Sequence, residues 1–159
     1  MKTKPKGLDA DWVRYLLRYA GAAHVRIYEA TGGRVGGRLG IPFVLPTVPI
    51  LLLEHVGRKS GNPFTTPLVY LEDGPDVAVV ASQGGRPQNP HWYRNLAAHP
   101  DVTVRIGREV RPVRARTATP DEKARLWPRL VGLYADFDSY QSWTDREIPV
   151  VVLSPLPGG

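Results

Sequence analysis

The chain has 159 residues, 42% of them hydrophobic and 23% charged, which is the composition of one ordinary globular domain with a real core. It contains no cysteine, so disulfides, iron–sulfur clusters, thiolate zinc sites and a cysteine nucleophile are all excluded. Its four histidines, at positions 24, 55, 91 and 99, lack the spacing of a zinc motif, so we expect no metal site. The net charge of +6 is concentrated in residues 1–38, which hold eight Lys or Arg and three acidic residues. Because this excess does not lie on an aromatic-bearing sheet face, we expect no nucleic-acid partner.

The first predicted element is a helix over residues 9–30, capped by Asp9 or Asp11 and stopped by Gly32-Gly33. With Arg on its opposite face, this helix could lie on an anionic membrane surface. The alternative is that its apolar stripe packs on the domain core or on a partner subunit. The stripe has helical spacing and consists of Trp12, Leu16, Tyr19, Ala23 and Ile27.

No apolar run is long enough to span a bilayer, and the N-terminus lacks the uninterrupted apolar stretch of an export signal. We therefore expect a cytoplasmic protein, with peripheral contact at the inner face of the cell membrane through residues 9–30 as its one route to a membrane. We divide the chain into an N-terminal helix and Gly-rich segment, 1–38, and a cofactor-binding barrel domain, 39–159.

The rest of the chain is predicted to be mostly strands. Residues 32–49 are rich in Gly and Pro and are predicted to be a linker or a surface loop. Thr119 caps a later helix, with Pro120 in its first turn and Glu122 completing a capping box. Apolar or alternating runs predict six strands, over residues 50–56, 65–71, 77–82, 102–106, 109–118 and 148–153. With few βα alternations, this order predicts an α+β fold built on an antiparallel barrel, not a Rossmann sheet.

A glycine-bounded turn between the first two predicted strands, Gly57–Pro63, carries Arg58, Lys59 and Ser60. Two fixed positive charges, a hydroxyl and outward-pointing backbone N–H groups suit an anion. Taken alone, the turn is explained more simply as a polar hairpin with solvated cations. The anion interpretation depends on the motifs that follow.

Two motifs come after the third predicted strand. Ser82-Gln83-Gly84-Gly85 ends that strand with a hydroxyl, an amide and two glycines, which let a ligand approach the backbone closely. A plain exit from strand to loop explains the same residues. A short helix is predicted next over residues 91–99, with Asn89 as its cap and Pro90 in its first turn. Its Trp92 could wall a flat ring system, or could simply belong to the core.

A fourth motif, residues 134–146, holds four aromatic side chains within ten residues: Tyr134, Phe137, Tyr140 and Trp143. They suit a mobile aromatic lid over a flat hydrophobic substrate, and a satellite core cluster is the alternative. Asp145 and Arg146 are predicted to be structural, as a local ion pair or a cap to the last strand. No Ser-His-Asp order or paired carboxylates are present, so an enzyme of this sequence needs a cofactor for its chemistry.

Taken together, the motifs GRKSG, TPLVY, ASQGG, NPHWYRNL, ARTATPDEKARLWPRL and YQSWTDREIPVVVLSP resemble the deazaflavin-dependent nitroreductase family, over roughly residues 45–155. These are small actinobacterial oxidoreductases that use coenzyme F420. The resemblance implies a split β-barrel, like that of flavin-binding pyridoxamine-oxidase relatives. It also implies hydride transfer from reduced F420 (F420H2) to a quinone such as menaquinone or to a nitroaromatic compound.

The same resemblance implies the roles of individual residues. Ser82, Tyr134 and Tyr140 would be catalytic. The acceptor pocket would be formed by Val69, Tyr134, Phe137 and Tyr140. The cofactor would be bound by Arg58, Lys59, Ser60, Pro67, Ser82, Gln83, Gly84, Gly85 and Trp92.

The sequence departs from the family at three of these positions and at Phe64. The family often has a lysine where Gln83 stands and a basic residue where Phe64 stands, so two charge contacts to the cofactor are lost, each worth about 1.5–3 kcal/mol. Arg86 is a candidate replacement for one of them. Val69 and Phe137 correspond to pocket tyrosines of some members, so both lack a hydroxyl. These losses leave open a second hypothesis, a non-catalytic protein that binds F420, a flavin or haem.

Overall fold

Seven strands and four α-helices make up the part of the chain that the computed structural model describes, which is residues 3–4, 11–39 and 47–157. Side chains 11–20 and 39 are outside that description. The helices are α1 Asp11–Thr31, α2 His91–Ala98, α3 Pro120–Leu133 and α4 Asp136–Ser142. The strands are β1 Arg38–Leu39, β2 Val48–Val56, β3 Pro63–Asp73, β4 Asp76–Val80, β5 Asp101–Ile106, β6 Glu109–Thr117 and β7 Val150–Pro155.

Strands β2 to β7 form a closed barrel in the order β2-β3-β4-β7-β6-β5, and β5 pairs back onto β2. Every pairing in it is antiparallel. Closure leaves no free edge among these strands, because each has a partner on both sides. The predicted α+β split barrel with peripheral helices is confirmed.

The barrel interior is filled by alternate side chains of the strands together with Trp92 and Leu96 of α2. The third predicted strand is buried on both faces, since Val77, Ala78, Val79 and Val80 are all buried. Their outward-facing members, Ala78 and Val80, pack under α3 and α4. A smaller outer cluster forms around Tyr28 of α1 with Val48, Ile50 and Leu52 of β2.

Helix α1 faces the barrel with different residues from those that the sequence predicted. Tyr28 is almost fully buried, whereas Ala23 and Ile27 of the predicted stripe are exposed. The hydroxyl of Tyr28 accepts a hydrogen bond from Gly107 N at 2.7 Å and donates one to Arg105 O at 3.3 Å, which fixes the rotation of the helix. Packing of the stripe on the domain core was therefore wrong at Ala23 and Ile27, whereas the membrane and partner-subunit alternatives stay predictions. Its other three members lie outside the described side chains, as does the predicted cap Asp9.

Three local predictions have different outcomes. The capping box of α3 is confirmed, because Thr119 Oγ1 accepts from Glu122 N and the Glu122 carboxylate accepts from Thr119 N. The assignment of 32–49 as a loop was wrong at Arg38 and Leu39, which pair with Pro49 and Val48. The cap of α2 was also wrong: Pro90 takes the cap position, and no side chain caps the helix.

Among the described residues, no helix combines the length and apolar character that crossing a bilayer requires.

Candidate active site

A cleft of about 720 Å³ opens between the turn after β2, the start of β3 and the first turns of α2. We call it the cation cleft. Its lining includes the predicted residues Arg58, Lys59, Ser60 and Trp92. The other lining residues are His55, Gly57, Phe64, Thr65, Thr66, His91, Arg94 and Asn95.

The cation cleft carries only positive formal charge. Arg58, Lys59 and Arg94 line it, and within the described ranges the lining includes no Asp or Glu. Lys59 and Arg94 are exposed, and Arg58 is half-buried. Because water screens exposed charges from each other, this cluster can persist without acidic partners, and it favours an anionic ligand.

The turn that bears these cations is held by its own backbone. Gly57 N donates to Asn62 O and Gly61 N donates to Gly57 O, both at 2.8 Å. A side chain at position 57 would not fit, because a Cβ there would lie 2.5 Å from Ser60 Oγ and 2.9 Å from the Phe64 ring. The bounding glycine therefore lets the hydroxyl and the aromatic ring close over the backbone.

Arg58 is further fixed by Asn95, a buried residue of α2 that the sequence prediction missed. Asn95 Oδ1 accepts from Arg58 N at 3.1 Å and from Arg58 Nη1 at 3.2 Å. Asn95 Nδ2 lies 3.2 Å from Nδ1 of His55, and Nε2 of that ring lies 3.0 Å from Thr66 Oγ1. Burial lowers the pKa of His55 to about 4, so the ring is neutral near pH 7. Phe64 stacks on the same ring with centroids 5.8 Å apart.

The second predicted motif, Ser82–Gly85, folds into a single tight turn that we call the glycine loop. Gln83, Gly84 and Gly85 all have positive φ, of 46°, 62° and 72°. Gln83 is a strained position for a residue with a Cβ, which is typical of functional loops. Gly85 lies directly against α4, because a Cβ on it would be 2.5 Å from Tyr140 O.

Arg146 holds the glycine loop in place through hydrogen bonds. Its guanidinium donates to Ser82 O and Arg86 O at 2.8 Å and to Ala81 O at 3.2 Å. It also donates to Asn89 Oδ1 at 2.8 Å, which explains why Asn89 does not cap α2. Burial lowers the pKa of Arg146, which nonetheless stays charged. The structural role predicted for this residue is confirmed, but through carbonyl groups and not through an ion pair.

The fourth motif, which we call the tyrosine segment (134–143), is partly core and partly accessible. Phe137 is buried under α3 and β4, so the satellite-core interpretation is right for it and its placement on a pocket wall was wrong. Tyr134 and Tyr140 are half-buried, with their hydroxyl oxygens 3.0 Å apart. Burial, followed by the hydrogen bond with Tyr140, raises the pKa of Tyr134, so its hydroxyl keeps its proton near pH 7.

Strand β3 connects the cation cleft with the tyrosine segment. Val69 packs with Tyr134 where the cluster under α1 meets the cluster under α3 and α4. Pro67, two residues earlier, is half-buried and lies opposite Leu52 of β2. The predicted site residues therefore fall into two groups, one at the cation cleft and one around the glycine loop and tyrosine segment. Chain continuity joins them, because the glycine loop leads through Asn89 and Pro90 into α2.

Known proteins match this chain over most of its length. A family model described as F420H(2)-dependent quinone reductase matches residues 21–155. Rv3178 of Mycobacterium tuberculosis is 58% identical over 118 residues, which are 74% of this chain and 98% of that protein. Rv1261c of the same organism, named F420H(2)-dependent quinone reductase, is 41% identical over 152 residues, covering 91% of this chain and 98% of that protein. A solved F420-H2 dependent reductase, FDR-A, is similar with a TM-score of 0.62 and 39% identity, over 67% of this chain and 94% of that chain.

Proposed function

Because this chain belongs to the F420H(2)-dependent quinone reductase family, we propose that it is an oxidoreductase that transfers hydride from reduced coenzyme F420 to a quinone. The observation that carries the proposal is the cation cleft, whose lining brings together Arg58, Lys59 and the largely buried Trp92. Fixed cations next to an aromatic wall are what an anionic cofactor with a flat ring requires.

The residues present fit that cofactor. F420 carries a phosphate and a glutamate tail, both anionic, and the described lining of the cleft offers cations without a competing carboxylate. We assign Arg58, Lys59 and Ser60 to the anionic part. We assign Pro67, Trp92 and the glycine loop residues Ser82, Gln83, Gly84 and Gly85 to the ring system and its linker. Glycines at positive φ free backbone N–H groups to approach a ligand closely.

When bound, reduced F420 supplies the hydride. The quinone gains a proton on oxygen as well, so an acceptor site needs groups that hold a proton near neutral pH. We assign to Tyr134 and Tyr140 hydrogen bonds to the quinone oxygens, because their hydroxyls contact each other and the raised pKa of Tyr134 keeps its hydroxyl protonated as a donor. We place Ser82 at the same site as a hydroxyl donor, and Val69 as an apolar wall next to Tyr134.

Nitroaromatic compounds are a further class of acceptor in this proposal, since they are flat and take up electrons from the same donor. The absence of hydroxyls at Val69 and Phe137 predicts weaker turnover of nitroaromatics than of quinones. Phe137 acts there only by packing behind Tyr134, because its ring lies 5.0 Å from that ring and is buried.

We also propose that the N-terminal segment, residues 1–38, whose Tyr28 packs on the barrel, contacts the membrane peripherally, where lipid-soluble quinones reside. The exposed apolar residues Ile27 and Val35 neighbour the exposed cations Arg26 and Arg34 in sequence, a combination suited to an anionic lipid surface. Deleting residues 1–30 should abolish co-sedimentation with anionic liposomes. Unchanged sedimentation would rule out this role.

Purified protein should quench or shift F420 fluorescence on titration and should oxidise F420H2 when a menaquinone analogue is added. Arg58→Ala and Lys59→Ala should each weaken F420 binding about tenfold or more, as loss of a charge-assisted contact predicts. Binding without acceptor-dependent oxidation would instead indicate a cofactor carrier. No binding of F420, with FMN bound in its place, would reject the proposal.

A further inference from the structure

Asn95 is a polar side chain that is only 4% exposed, at the centre of a chain of four residues. The chain runs from Arg58 through Asn95 and His55 to Thr66 and joins the turn after β2, helix α2, strand β2 and strand β3. We call it the relay. A buried amide contributes to stability only when its oxygen and its nitrogen both find partners of the right kind.

The hydrogen positions in the relay follow from one fixed group. The backbone N–H of Arg58 can only donate, so the Asn95 side chain must present its oxygen to it. The guanidinium of Arg58 donates to the same oxygen, which agrees with this orientation. The Asn95 amide nitrogen is then turned towards His55 Nδ1, and two donors cannot pair, so Nδ1 must carry the lone pair.

His55 is consequently a neutral imidazole with its proton on Nε2, which donates to Thr66 Oγ1. Burial independently favours this neutral form, because the pKa of the ring is lowered to about 4. Phe64 covers one face of the ring. Geometry, donor chemistry and burial all agree on the same tautomer.

We propose that Asn95 and His55 are positioning residues for the cofactor clamp, in which the Nε2–H tautomer of His55 orients the Asn95 amide and that amide holds Arg58 ready for an anionic group. This inference rests on the proposed function for the identity of the anion, and on the relay alone for the tautomer. Neither residue needs to touch the cofactor. The other members of the relay are neutral, so the cleft keeps the full positive charge of Arg58.

A salt bridge from an acid would hold Arg58 as firmly, but it would cancel the charge that the clamp needs. Asn95→Asp makes that exchange directly. The carboxylate accepts from Arg58 as before, but its second oxygen now needs a donor, so His55 must shift its proton to Nδ1. The substitution should therefore move the tautomer and weaken anion binding together.

The first experiment is ¹⁵N NMR of the cofactor-free protein with labelled histidine, assigned by comparison with His55→Gln. The wild type should show a lone-pair Nδ1 and a protonated Nε2 for His55 at pH 7. Asn95→Asp should show a protonated Nδ1. A wild-type spectrum with protonated Nδ1, or with both nitrogens protonated, would overturn the inference whether or not F420 binds.

The second experiment measures F420 affinity by fluorescence titration and steady-state kinetics with a menaquinone analogue. Asn95→Leu should raise Kd and the KM for F420H2 about tenfold, with kcat at saturating cofactor changed less than twofold. Thr66→Val should raise Kd about threefold, because it removes only the far end of the relay. Thr103→Val on β5 is the matched control and should leave Kd unchanged.

The two proposals fail in different ways. If the wild type binds no F420, the proposed function is rejected. The tautomer of His55 is still tested by NMR, because that experiment uses the cofactor-free protein. If the wild type binds F420 but Thr66→Val and a folded Asn95→Leu both bind within twofold of it, the positioning role is overturned. If Asn95→Leu does not fold, the F420 affinity of Thr66→Val and the NMR experiment still test the positioning role.

Discussion

The cation cleft and the tyrosine segment are held in place by contacts of different kinds. At the cleft, Arg58 donates hydrogen bonds to the side-chain oxygen of Asn95, and the amide nitrogen of Asn95 in turn pairs with the neutral imidazole of His55. At the tyrosine segment, the glycine loop touches α4 backbone to backbone at Gly85, and Arg146 binds three carbonyl oxygens. Among the described residues, the lining of the cleft offers Arg58 no acid, whereas the half-buried Arg146 holds the glycine loop through carbonyl oxygens.

This difference fits the roles proposed for the two regions. A clamp for an anion needs uncompensated charge at the surface, so the groups that orient it should be neutral. The contact of Gly85 with Tyr140 needs a fixed backbone, and a guanidinium with several donors can bind several carbonyls at once. We therefore expect the cation cleft to be most sensitive to substitutions that change charge and to changes in pH. We expect the tyrosine segment to be most sensitive to substitutions that remove contacts or add volume.

The largest expected effect is that of Arg146→Met, which leaves Ala81 O, Ser82 O and Arg86 O without this donor. Ser82 O keeps its hydrogen bond from Gly85 N, so the loss falls on the partly buried Ala81 O, Arg86 O and Asn89 Oδ1. At about 1–3 kcal/mol for each, we expect a loss of about 4 kcal/mol in the free energy of unfolding. Urea denaturation measures it. Arg125→Met is the control, because Arg125 is an exposed arginine on Asp73, which Arg129 also binds, and it should cost less than about 1 kcal/mol. Similar losses of unfolding free energy in both variants would contradict the structural role of Arg146 at the glycine loop.

The next effect isolates the close approach at Gly85. Gly85 and Gly74 have similar φ, of 72° and 64°, but a Cβ at position 74 would have no neighbour within 4 Å. Gly74→Ala should therefore cost only the left-handed backbone penalty of about 1 kcal/mol. Gly85→Ala adds overpacking against Tyr140 and should cost about 3 kcal/mol. Equal costs in urea denaturation would mean that the loop and α4 can separate freely.

The sequence predicted the barrel and the cations of the cleft, but it did not predict the residues that orient Arg58. The barrel followed from apolar runs and turns, because local patterns report strands that are buried on one or both faces. Arg58, Lys59 and Ser60 were found for a similar reason, since a glycine-bounded turn concentrates its chemistry within a few neighbouring residues. His55 and Asn95 were missed because their pairing joins positions 40 residues apart, and single histidines and asparagines carry no periodic signal.

The errors have physical causes of the same kind. Packing of the α1 stripe on the core was wrong at Ala23 and Ile27 because Tyr28 bonds to Gly107, a contact between distant positions that outweighs the helix's own pattern. Asn89 resembles a cap in sequence, but Arg146 takes its side-chain oxygen. Phe137 stands among tyrosines in the sequence, yet one turn of α4 directs it into the core.

A pH measurement tests the neutral character of the relay. The folded pKa of His55 is about 4 against 6.5 in an unfolded chain, so the unfolded state binds more protons between these values. Stability from this group is present above pH 6.5 and is lost as pH falls towards 4. We expect the wild type to lose about 2 to 3 kcal/mol more than His55→Gln between pH 7 and pH 4 in urea denaturation. Parallel profiles would contradict a buried neutral His55.

The smallest expected effect is a gain at the cation cleft. Phe64 is 47% exposed at the cleft, where a cation would face the anionic ligand through water. A charge-assisted contact at such an exposed site is worth about 1 kcal/mol, so Phe64→Arg should tighten F420 binding about fivefold at low salt. Phe64→Leu is the control, since it removes the stack on His55 without adding charge and should give no gain. The advantage of arginine should shrink as salt is raised, because screening acts on exposed charges. A gain that survived high salt would instead indicate a direct, desolvated contact, and no gain at low salt would place the anionic part of the cofactor away from Phe64.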